Sequence, residues 1–174
     1  MSLRTATPED IDDIRTVAKA SWDTDYPDIL SRESIEDGFD EWYSPDQIRD
    51  SLTWANTLLL VAERDDRIVG FAHAVWEREE TGGDDPQRKE GDILRLYVHP
   101  EHRDEGLGRK LFEATREELV DAGVTVLRAM VLENNALGND FYAGFGFELE
   151  DTREISIGDE TYQEHTYSLA VNRE

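Results

Sequence analysis

The chain of 174 residues contains no cysteine, which excludes disulfide bonds and metal sites built from thiolates. None of its apolar runs approaches the roughly 20 residues that a membrane-spanning helix needs. The first ten residues, MSLRTATPED, lack the basic and then apolar order of a secretion signal. We therefore expect a cytoplasmic protein, and the length predicts a single domain over residues 1–174 with a sizeable core.

Basic side chains are also scarce, and most of them are arginine. Lysine and arginine total 18 against 41 aspartates and glutamates, which gives a formal net charge of −23. No basic stripe is present that could neutralise phosphates, and this argues against a nucleic-acid partner. The acids are spread along the chain rather than gathered in one block. The sequence therefore favours a salt-adapted surface, like that of proteins from extreme halophiles, over an acidic patch for a basic partner.

The order of apolar patterns predicts an α/β fold with a mixed sheet. A short strand at 3–6 precedes a helix that starts at Thr7-Pro8-Glu9-Asp10, and a second helix start lies at Ser44-Pro45. Two strands flank a tight turn at Asp65-Asp66. The acidic segment 22–43 between these elements is expected to be a helix or loop excursion.

The second half predicts one β-α-β unit over residues 92–132, for which a right-handed crossover is expected. It consists of a strand at 92–98, an amphipathic helix at 106–123 and a strand at 124–132. A short helix at 135–143 follows, and the segments GFELE and TYQEHTYSLAV are expected to close the sheet.

The stretch HRDEGLGR, residues 102–109, places two glycines at the predicted start of the long helix. Glycines in this position allow backbone N–H groups to close around an anion. A nucleotide P-loop needs Gly-Lys-Ser/Thr, but Gly108 is followed by Arg109 and Lys110. A dinucleotide loop needs a third glycine at the position of Leu111, so neither type of loop fits.

What remains is the pattern Arg103-x-x-Gly106-x-Gly108 between a strand and a helix. It resembles the signature Gln/Arg-x-x-Gly-x-Gly/Ala of the GNAT superfamily of acyl-CoA-dependent N-acyltransferases. The preceding LYVHPEHR is similar to the family's core strand and turn, and Asn135 followed by FYAGFGF is similar to its downstream segment. The resemblance is firm over residues 92–148 and looser over 2–76. It implies a single GNAT-like α/β domain, with a largely antiparallel sheet flanked by helices and acetyl-CoA as co-substrate.

The resemblance assigns the pyrophosphate of coenzyme A to the glycine loop, where backbone N–H groups and the positive end of the helix would hold it. Asp104 and Glu105 are expected to point into solvent, whereas Arg103 and Arg109 are expected to contact phosphates. The loop residues assigned to acetyl-CoA are Arg103, Asp104, Glu105, Gly106, Leu107, Gly108 and Arg109.

The core strand and the downstream segment complete the implied binding site. The backbone of Leu96, Tyr97 and Val98 would bind the pantetheine arm and the acyl carbonyl. Asn135 would bind the pantetheine or an ordered water. It could also cap the following helix, and one residue can serve both roles.

Acyl transfer to an amine needs a neutral amine, donors for the oxyanion and a proton for the departing thiolate. Tyr142 matches the family tyrosine that protonates the sulfur, and a purely core aromatic is the alternative. Asp92 stands where many relatives carry a glutamate at or near the start of the core strand. It is the candidate general base, with a solvated acid as the alternative. Relatives that acetylate protein N-termini often place a glutamate five residues before the asparagine, and this chain has Met130 there.

The acceptor pocket is expected from residues 22–43 and the loop 78–90, by analogy with the parts of the family that vary. An acidic rim would suit a cationic amine such as a polyamine. Five aromatic residues could wall the pocket or belong to the core: Trp22, Tyr26, Trp42, Tyr43 and Trp76.

The sequence therefore predicts an N-acetyltransferase that moves an acetyl group from acetyl-CoA to a primary amine of a small molecule or peptide by direct attack on the thioester. A non-catalytic acyl-CoA sensor of the same fold and a partner-binding protein are the alternatives. Dimers are common in the family, so a homodimer is an option. No metal is expected, because His99-x-x-His102 lacks the helical spacing of a zinc pair and a third ligand.

Overall fold

The computed structural model describes residues 2–76, 89–103 and 105–171. Its helices are α1 (Ile11–Asp25), α2 (Arg32–Trp42), α3 (Pro45–Ser51), α4 (Leu107–Asp121) and α5 (Ala136–Gly144). Its strands are β1 (Ser2–Thr5), β2 (Thr57–Arg64), β3 (Arg67–Trp76), β4 (Glu90–Val98), β5 (Val126–Leu132), β6 (Glu148–Ile157) and β7 (Glu160–Ala170).

The seven strands form one sheet in the order β1-β2-β3-β4-β5-β7-β6. Among these described strands, β4 and β5 pair in parallel and every other neighbouring pair is antiparallel. The structure thus confirms the predicted α/β domain with a mixed, largely antiparallel sheet. The parallel pair is joined through α4, as expected for a β-α-β unit.

Capping residues set the helix starts. The Asp10 carboxylate accepts a hydrogen bond from the backbone N–H of Thr7 at 2.8 Å, and the Ser44 hydroxyl accepts one from Gln47 N–H at 3.2 Å. The residues Pro8–Asp10 form a 3-10 turn, so the regular helix α1 begins at Ile11, later than predicted. Ser44 caps α3 as predicted, whereas Thr7 is the N-cap of the 3-10 turn and Asp10 is the N-cap of α1. The tighter first turn accounts for the later start of α1.

The acidic segment 22–43 is mostly helical. The first helix continues through it to Asp25, and α2 occupies its second half. The Ser31 hydroxyl caps α2 by accepting a hydrogen bond from Ser34 N–H at 3.1 Å. The segment therefore packs as a second helix on the same side of the sheet as α1, with Phe39 stacked on Tyr43 at 5.3 Å between ring centroids.

The strand β6 is longer than the sequence predicted. It runs to Ile157 rather than ending near residue 150, and it forms a hairpin with β7 through Gly158. Most of its residues are exposed at the sheet edge. Because they are polar and acidic, the alternating apolar pattern that normally marks a strand is absent from this part of the sequence.

The sheet is covered on both faces. One core contains residues of α1, α2 and α3, including Ile14, Trp22 and Ile48. The other face packs against α4 and α5 through residues such as Leu111 and Phe112. Burial of each such large apolar side chain contributes about 1.5–3 kcal/mol to folding.

The sheet opens at its centre. Parallel pairing of β4 and β5 covers Glu90–Ile93 and Val126–Ala129, yet β4 continues to Val98 and β5 to Leu132. Just past the last pair, β4 has a bulge, because Ala74 lies opposite Ile93 and His73 opposite Arg95, which leaves Leu94 as an extra residue. The two strands therefore leave a gap between them, and we call it the strand gap.

Candidate active site

A cavity of about 340 Å³ lies beside the strand gap, on the α4 side of the sheet, and we call it the α4-side cavity. Most of the residues assigned to acetyl-CoA or to catalysis line it. They are Leu96, Tyr97, Val98, Arg103, Gly106, Leu107, Gly108, Arg109, Asn135 and Tyr142. The fold thus brings together the three segments on which the family resemblance was based.

Backbone groups of β4 face the strand gap. In an antiparallel pair, alternate residues direct N–H and C=O away from the partner strand. Because His99 N–H donates to the Val69 carbonyl across the β3 side, Leu96 and Val98 direct their backbone groups toward the gap. The Val98 carbonyl there accepts bonds from Ser21 Oγ at 3.4 Å and Arg103 Nε at 3.2 Å. The remaining groups of these two residues are positioned to bind an extended ligand.

The glycine loop ends at the N-terminus of α4. Gly106 is the N-cap residue, with a φ of +80° in the left-handed region that glycine adopts without strain. A Cβ on Gly108 would lie only 3.2 Å from Cε2 of Phe141, so the loop and α5 are closely packed. The first N–H groups of α4 have no acceptor within the helix and carry its positive dipole end. Together they place N–H donors and a positive dipole end beside the cavity, an arrangement that suits an anion.

The charged loop residues are mostly bound within the protein. Arg103 forms two hydrogen bonds with the Asp25 carboxylate, at 2.7 and 2.8 Å, in addition to its bond with Val98. Arg109 is exposed and pairs with Glu113 at 3.0 Å. The Arg103 guanidinium is therefore fixed by Asp25, on the wall of the same cavity, and the direct phosphate contact predicted for it would require this pair to open.

The described acid of the loop, Glu105, does not line the cavity. The Glu105 carboxylate is bound by Arg64 at 2.6 Å, and it is not among the residues that line the α4-side cavity. This placement agrees with the expectation that it points outward, although its backbone is adjacent to Gly106. Asp104 lies outside the described residues, as does most of the loop 78–90 that was expected at the acceptor pocket.

Asn135 begins α5 at the inner end of the strand gap. Its Oδ1 accepts a hydrogen bond from Gly138 N–H at 3.1 Å, so the alternative role as a helix cap is real. The loop that carries it is held by Asn139, whose Nδ2 donates to the Asn135 carbonyl at 2.7 Å and to the Leu132 carbonyl at 3.1 Å. In turn, Asn139 Oδ1 accepts a hydrogen bond from the Tyr167 hydroxyl at 2.5 Å. This network was missed from the sequence.

Tyr142 is buried on α5 and lines the cavity at the strand gap. Its hydroxyl makes no hydrogen bond with another residue in the described part of the chain, so it is available to a ligand. Burial raises the pKa of the phenol above its ordinary value, with a smaller contribution from Tyr97. The group therefore stays protonated at neutral pH, the state that a proton donor requires.

A second cavity, of about 200 Å³, lies across the strand gap on the α2 side, and we call it the α2-side cavity. Four of the five aromatic residues proposed as acceptor walls line it: Trp22, Tyr26, Trp42 and Tyr43. Trp76 does not line it and packs at the α4-side core instead. Both cavities share Leu96, Tyr97, Asn135, Gly138 and Tyr142, so they meet at the strand gap.

Phenol groups cluster in the α2-side cavity around Tyr97. Its hydroxyl accepts a hydrogen bond from Trp22 Nε1 at 3.2 Å and lies 3.2 Å from the Tyr26 hydroxyl. Burial raises the pKa values of Tyr26 and Tyr43 well above the ordinary phenol range. These hydroxyls are therefore neutral at physiological pH and act as hydrogen-bonding groups rather than as bases.

Asp92 lies apart from the other candidates. The parallel register places it beside Arg128, and its Oδ1 is 3.3 Å from Arg128 Nε. Glu90 also pairs with Arg128, at 3.0 Å. Asp92 lines neither cavity. A general base at Asp92 would therefore reach an amine in the α2-side cavity only through an intervening proton path.

This site occurs on a fold that matches known proteins. A family model described as the acetyltransferase (GNAT) family matches residues 17–147. The chain belongs to this family. A spermidine N(1)-acetyltransferase from Thermoplasma acidophilum is 27% identical over 156 residues, covering 87% of this chain and 91% of the relative. An uncharacterized N-acetyltransferase from Archaeoglobus fulgidus is 29% identical and covers 82% of this chain and 90% of that protein.

Solved structures agree with the family. The crystal structure of PaiA N-acetyltransferase from Thermoplasma acidophilum in complex with coenzyme A matches with a TM-score of 0.78 at 27% identity, covering 94% of this chain and 96% of that one. A GCN5-related N-acetyltransferase structure from Rhodopseudomonas palustris also has a TM-score of 0.78, at 23% identity, and covers 98% of this chain and 95% of that one. The protein is therefore a GNAT acetyltransferase, as the sequence motifs predicted.

Two features are absent from the described residues. No group of three or more histidine, aspartate or glutamate side chains in these ranges is arranged to hold a metal ion. No helix among the described elements of this acetyltransferase has the length and apolar character needed to cross a membrane.

Proposed function

We propose that this acetyltransferase transfers the acetyl group of acetyl-CoA to a primary amine of a small molecule or peptide by direct attack on the thioester. The observation that carries the proposal is the meeting of two cavities at the strand gap, where Tyr142 and Asn135 belong to both. One cavity would take the donor and the other the amine. Relatives named as N-acetyltransferases support an amine as the acceptor.

The α4-side cavity fits coenzyme A. The N-terminus of α4 and the glycine loop would bind the pyrophosphate through backbone N–H groups, which do not need a positive side chain. The backbone groups of Leu96 and Val98 that face the strand gap would bind the pantetheine arm in the manner of an added strand. The acetyl carbonyl would then lie at the narrow end of the gap, near Tyr142.

The chemistry at the gap consists of one attack and two proton movements. The amine nitrogen bonds to the thioester carbon, and the carbon–sulfur bond breaks. Tyr142 would protonate the departing thiolate, and its raised pKa keeps the proton available over the neutral range. Asp92 remains the proposed acceptor of the amine proton. Because it lines neither cavity, the proton would have to travel through water or through the hydroxyl cluster around Tyr97.

The first experiment is to titrate acetyl-CoA calorimetrically in molar potassium chloride and then to screen primary amines for coenzyme A release. Tyr142→Phe should lower kcat by about 100-fold or more, the usual contribution of a proton donor, with little change in the Kd for acetyl-CoA. The matched control is Tyr162→Phe, which removes a phenol that hydrogen-bonds Ser34 and lines neither cavity. Binding without release for every amine would favour the sensor alternative, and no binding by the folded protein would refute the proposal.

Two further expectations accompany this proposal as predictions, a cytoplasmic location and a salt-adapted surface, and a homodimer stays an option. They are separate from the catalytic proposal, because none of the site residues named above depends on them.

A further inference from the structure

The charged residues that line the α2-side cavity are two arginines and one glutamate, Arg95, Arg153 and Glu164. The lining within the described residues is thus net positive, although the whole chain carries a formal charge of −23. The charge of the lining thus differs in sign from that of the whole chain. It bears directly on which amines could enter the cavity.

The glutamate in this cavity is already neutralised. Arg153 and Glu164 face each other across the β6–β7 ladder, and Oε1 of Glu164 lies 3.0 Å from both Nε and Nη2 of Arg153. Such a pair leaves little negative potential for a cationic ligand. The remaining charge of the lining therefore belongs to Arg95.

Arg95 has no carboxylate partner among the residues that the structure describes. Its Nη2 donates to the Trp42 carbonyl at 2.8 Å, and its guanidinium carbon lies 4.6 Å from the centroid of the Tyr43 ring. These two contacts fix the side chain at the wall of the cavity. Within the described residues, they leave its other N–H donors for a ligand and its positive charge uncompensated.

Neutral donors surround this charge. Trp22, Tyr26, Tyr43 and Tyr97 line the same cavity. The indole of Trp22 carries no charge, and burial raises the pKa values of Tyr26 and Tyr43, so these two phenols are neutral at neutral pH. A half-buried guanidinium amid neutral hydrogen-bonding groups is the arrangement that recognises a carboxylate. A protonated polyamine would instead meet a like charge, with no unpaired carboxylate in the described lining to offset it.

We propose that Arg95 binds a carboxylate on the acceptor, so that the substrates of this enzyme are amino acids or other amines that carry a carboxylate. The inference rests on the proposed N-acetyltransferase function and adds its substrate class. The amine would lie toward the strand gap, and the carboxylate toward the guanidinium at the end of α2. The acidic composition of the chain, which suggested a cationic acceptor, does not describe this cavity.

The test compares acceptors that differ only at the carboxylate. The wild-type protein is assayed for coenzyme A release with a panel of α-, β- and γ-amino acids, with the amide of each, and with spermidine. A charge-assisted contact predicts that the best acid exceeds its own amide in kcat/KM by about 10- to 100-fold, mainly through KM. The proposal would be overturned if spermidine had a kcat/KM as high as that of the best acid. It would also be overturned if every amide had the same kcat/KM as its acid.

Variants then identify the residue responsible. Arg95→Gln should reduce the acid-to-amide ratio to about one. Arg49→Gln, which removes an exposed arginine paired with Asp46 on α3, should leave the ratio unchanged. If Arg95 only stabilised the end of α2 through Trp42, its loss would affect both members of each pair alike and the ratio would persist. Arg95→Lys should retain part of the preference.

A binding measurement separates the possible failures. Trp22 and Trp42 line the cavity, so their fluorescence should report acceptor binding to the protein saturated with coenzyme A. If acetyl-CoA binds but the acids bind no better than the amides, or neither binds, the carboxylate inference is wrong and the donor site stands. If the folded protein does not bind acetyl-CoA, it is the proposed function that fails.

Discussion

Gly106 and Gly144 form a matched pair for testing the glycine loop. At both positions an added Cβ would meet no atom within 4 Å, but only Gly106 has a left-handed backbone, with a φ of +80°. Gly106→Ala should therefore lower the free energy of unfolding by about 1–2 kcal/mol, the cost of holding an L side chain in that region. Gly144→Ala, at the end of α5, should raise it by about 0.4–1 kcal/mol, because it removes freedom from the unfolded chain.

Binding of acetyl-CoA should separate the two variants further. Gly106 lines the α4-side cavity and caps α4, so relief of the strain would turn the loop N–H groups away from the phosphates. We expect Kd to rise about tenfold or more in Gly106→Ala and to change less than about twofold in Gly144→Ala. Urea unfolding and calorimetric titration in molar potassium chloride measure both quantities. A destabilised Gly106→Ala that binds acetyl-CoA normally would refute the assignment of the phosphates to this loop.

Three further predictions concern protons and salt. Asp92→Asn should lower kcat while leaving the Kd for acetyl-CoA intact if Asp92 accepts the amine proton, and unchanged turnover would remove it from the mechanism. Burial and Arg95 lower the pKa of His73 to about 3, so the unfolded chain binds a proton that the folded chain does not once the pH falls below about 6.5. As the pH falls from 6 to 4, the free energy of unfolding should therefore decrease more steeply in the wild type than in His73→Gln. The difference in slope should be up to about 1.4 kcal/mol per pH unit. Parallel plots of unfolding free energy against pH for the two proteins would contradict this. Potassium chloride between about 0.1 and 2 M should raise both the unfolding midpoint and the affinity for acetyl-CoA, since it screens the excess of 41 acids over 18 basic residues; affinity that falls with salt would count against the predicted repulsion.

Features set by neighbouring residues could be predicted from the sequence. The caps at Thr7 and Ser44 lie where the sequence places them, and Asp65 and Asp66 both adopt positive φ at the tight turn between β2 and β3. The glycine loop was recognisable because its conformation depends on glycines two residues apart. In each case the physical cause lies within a few residues of the feature it determines.

Features that join distant parts of the chain were missed. Asp25 lies 78 residues from Arg103, and no local pattern in α1 marks it as the partner of the loop arginine. In the sequence nothing distinguishes Asn139 from an ordinary helix residue. In the structure its Nδ2 donates hydrogen bonds to three backbone carbonyls and so holds the loop that carries Asn135. The edge strand β6 was predicted too short for a related reason. Pairing with β7 makes this segment a strand, although its sequence has no apolar alternation.

Asp92 and Arg95 show how the register and the bulge decide roles on one strand. Parallel pairing places Asp92 beside Arg128, and the extra residue Leu94 then shifts the alternation, so that Arg95 and Tyr97 face the α2-side cavity while Leu96 faces the α4 side. A strict alternation read from the sequence places Arg95 on the face of Ile93, toward α4. The one-residue insertion thus brings the positive charge of Arg95 to the α2-side cavity.

The two arginines near the strand gap, Arg103 and Arg95, differ in the groups that contact them. The difference favours a structural role for Arg103 and supports the proposed binding role of Arg95. Arg103 is bound by a carboxylate through two short hydrogen bonds, so a phosphate must compete with Asp25 for it, and the loop gains rigidity from the pair. Among the described residues, Arg95 contacts a carbonyl and an aromatic ring but no carboxylate, and these contacts orient a guanidinium without cancelling its charge. In a chain of net charge −23, carboxylates are abundant, and one of them could readily pair with an arginine. The absence of such a pair from the described surroundings of Arg95 is therefore best explained by a carboxylate that arrives with the substrate.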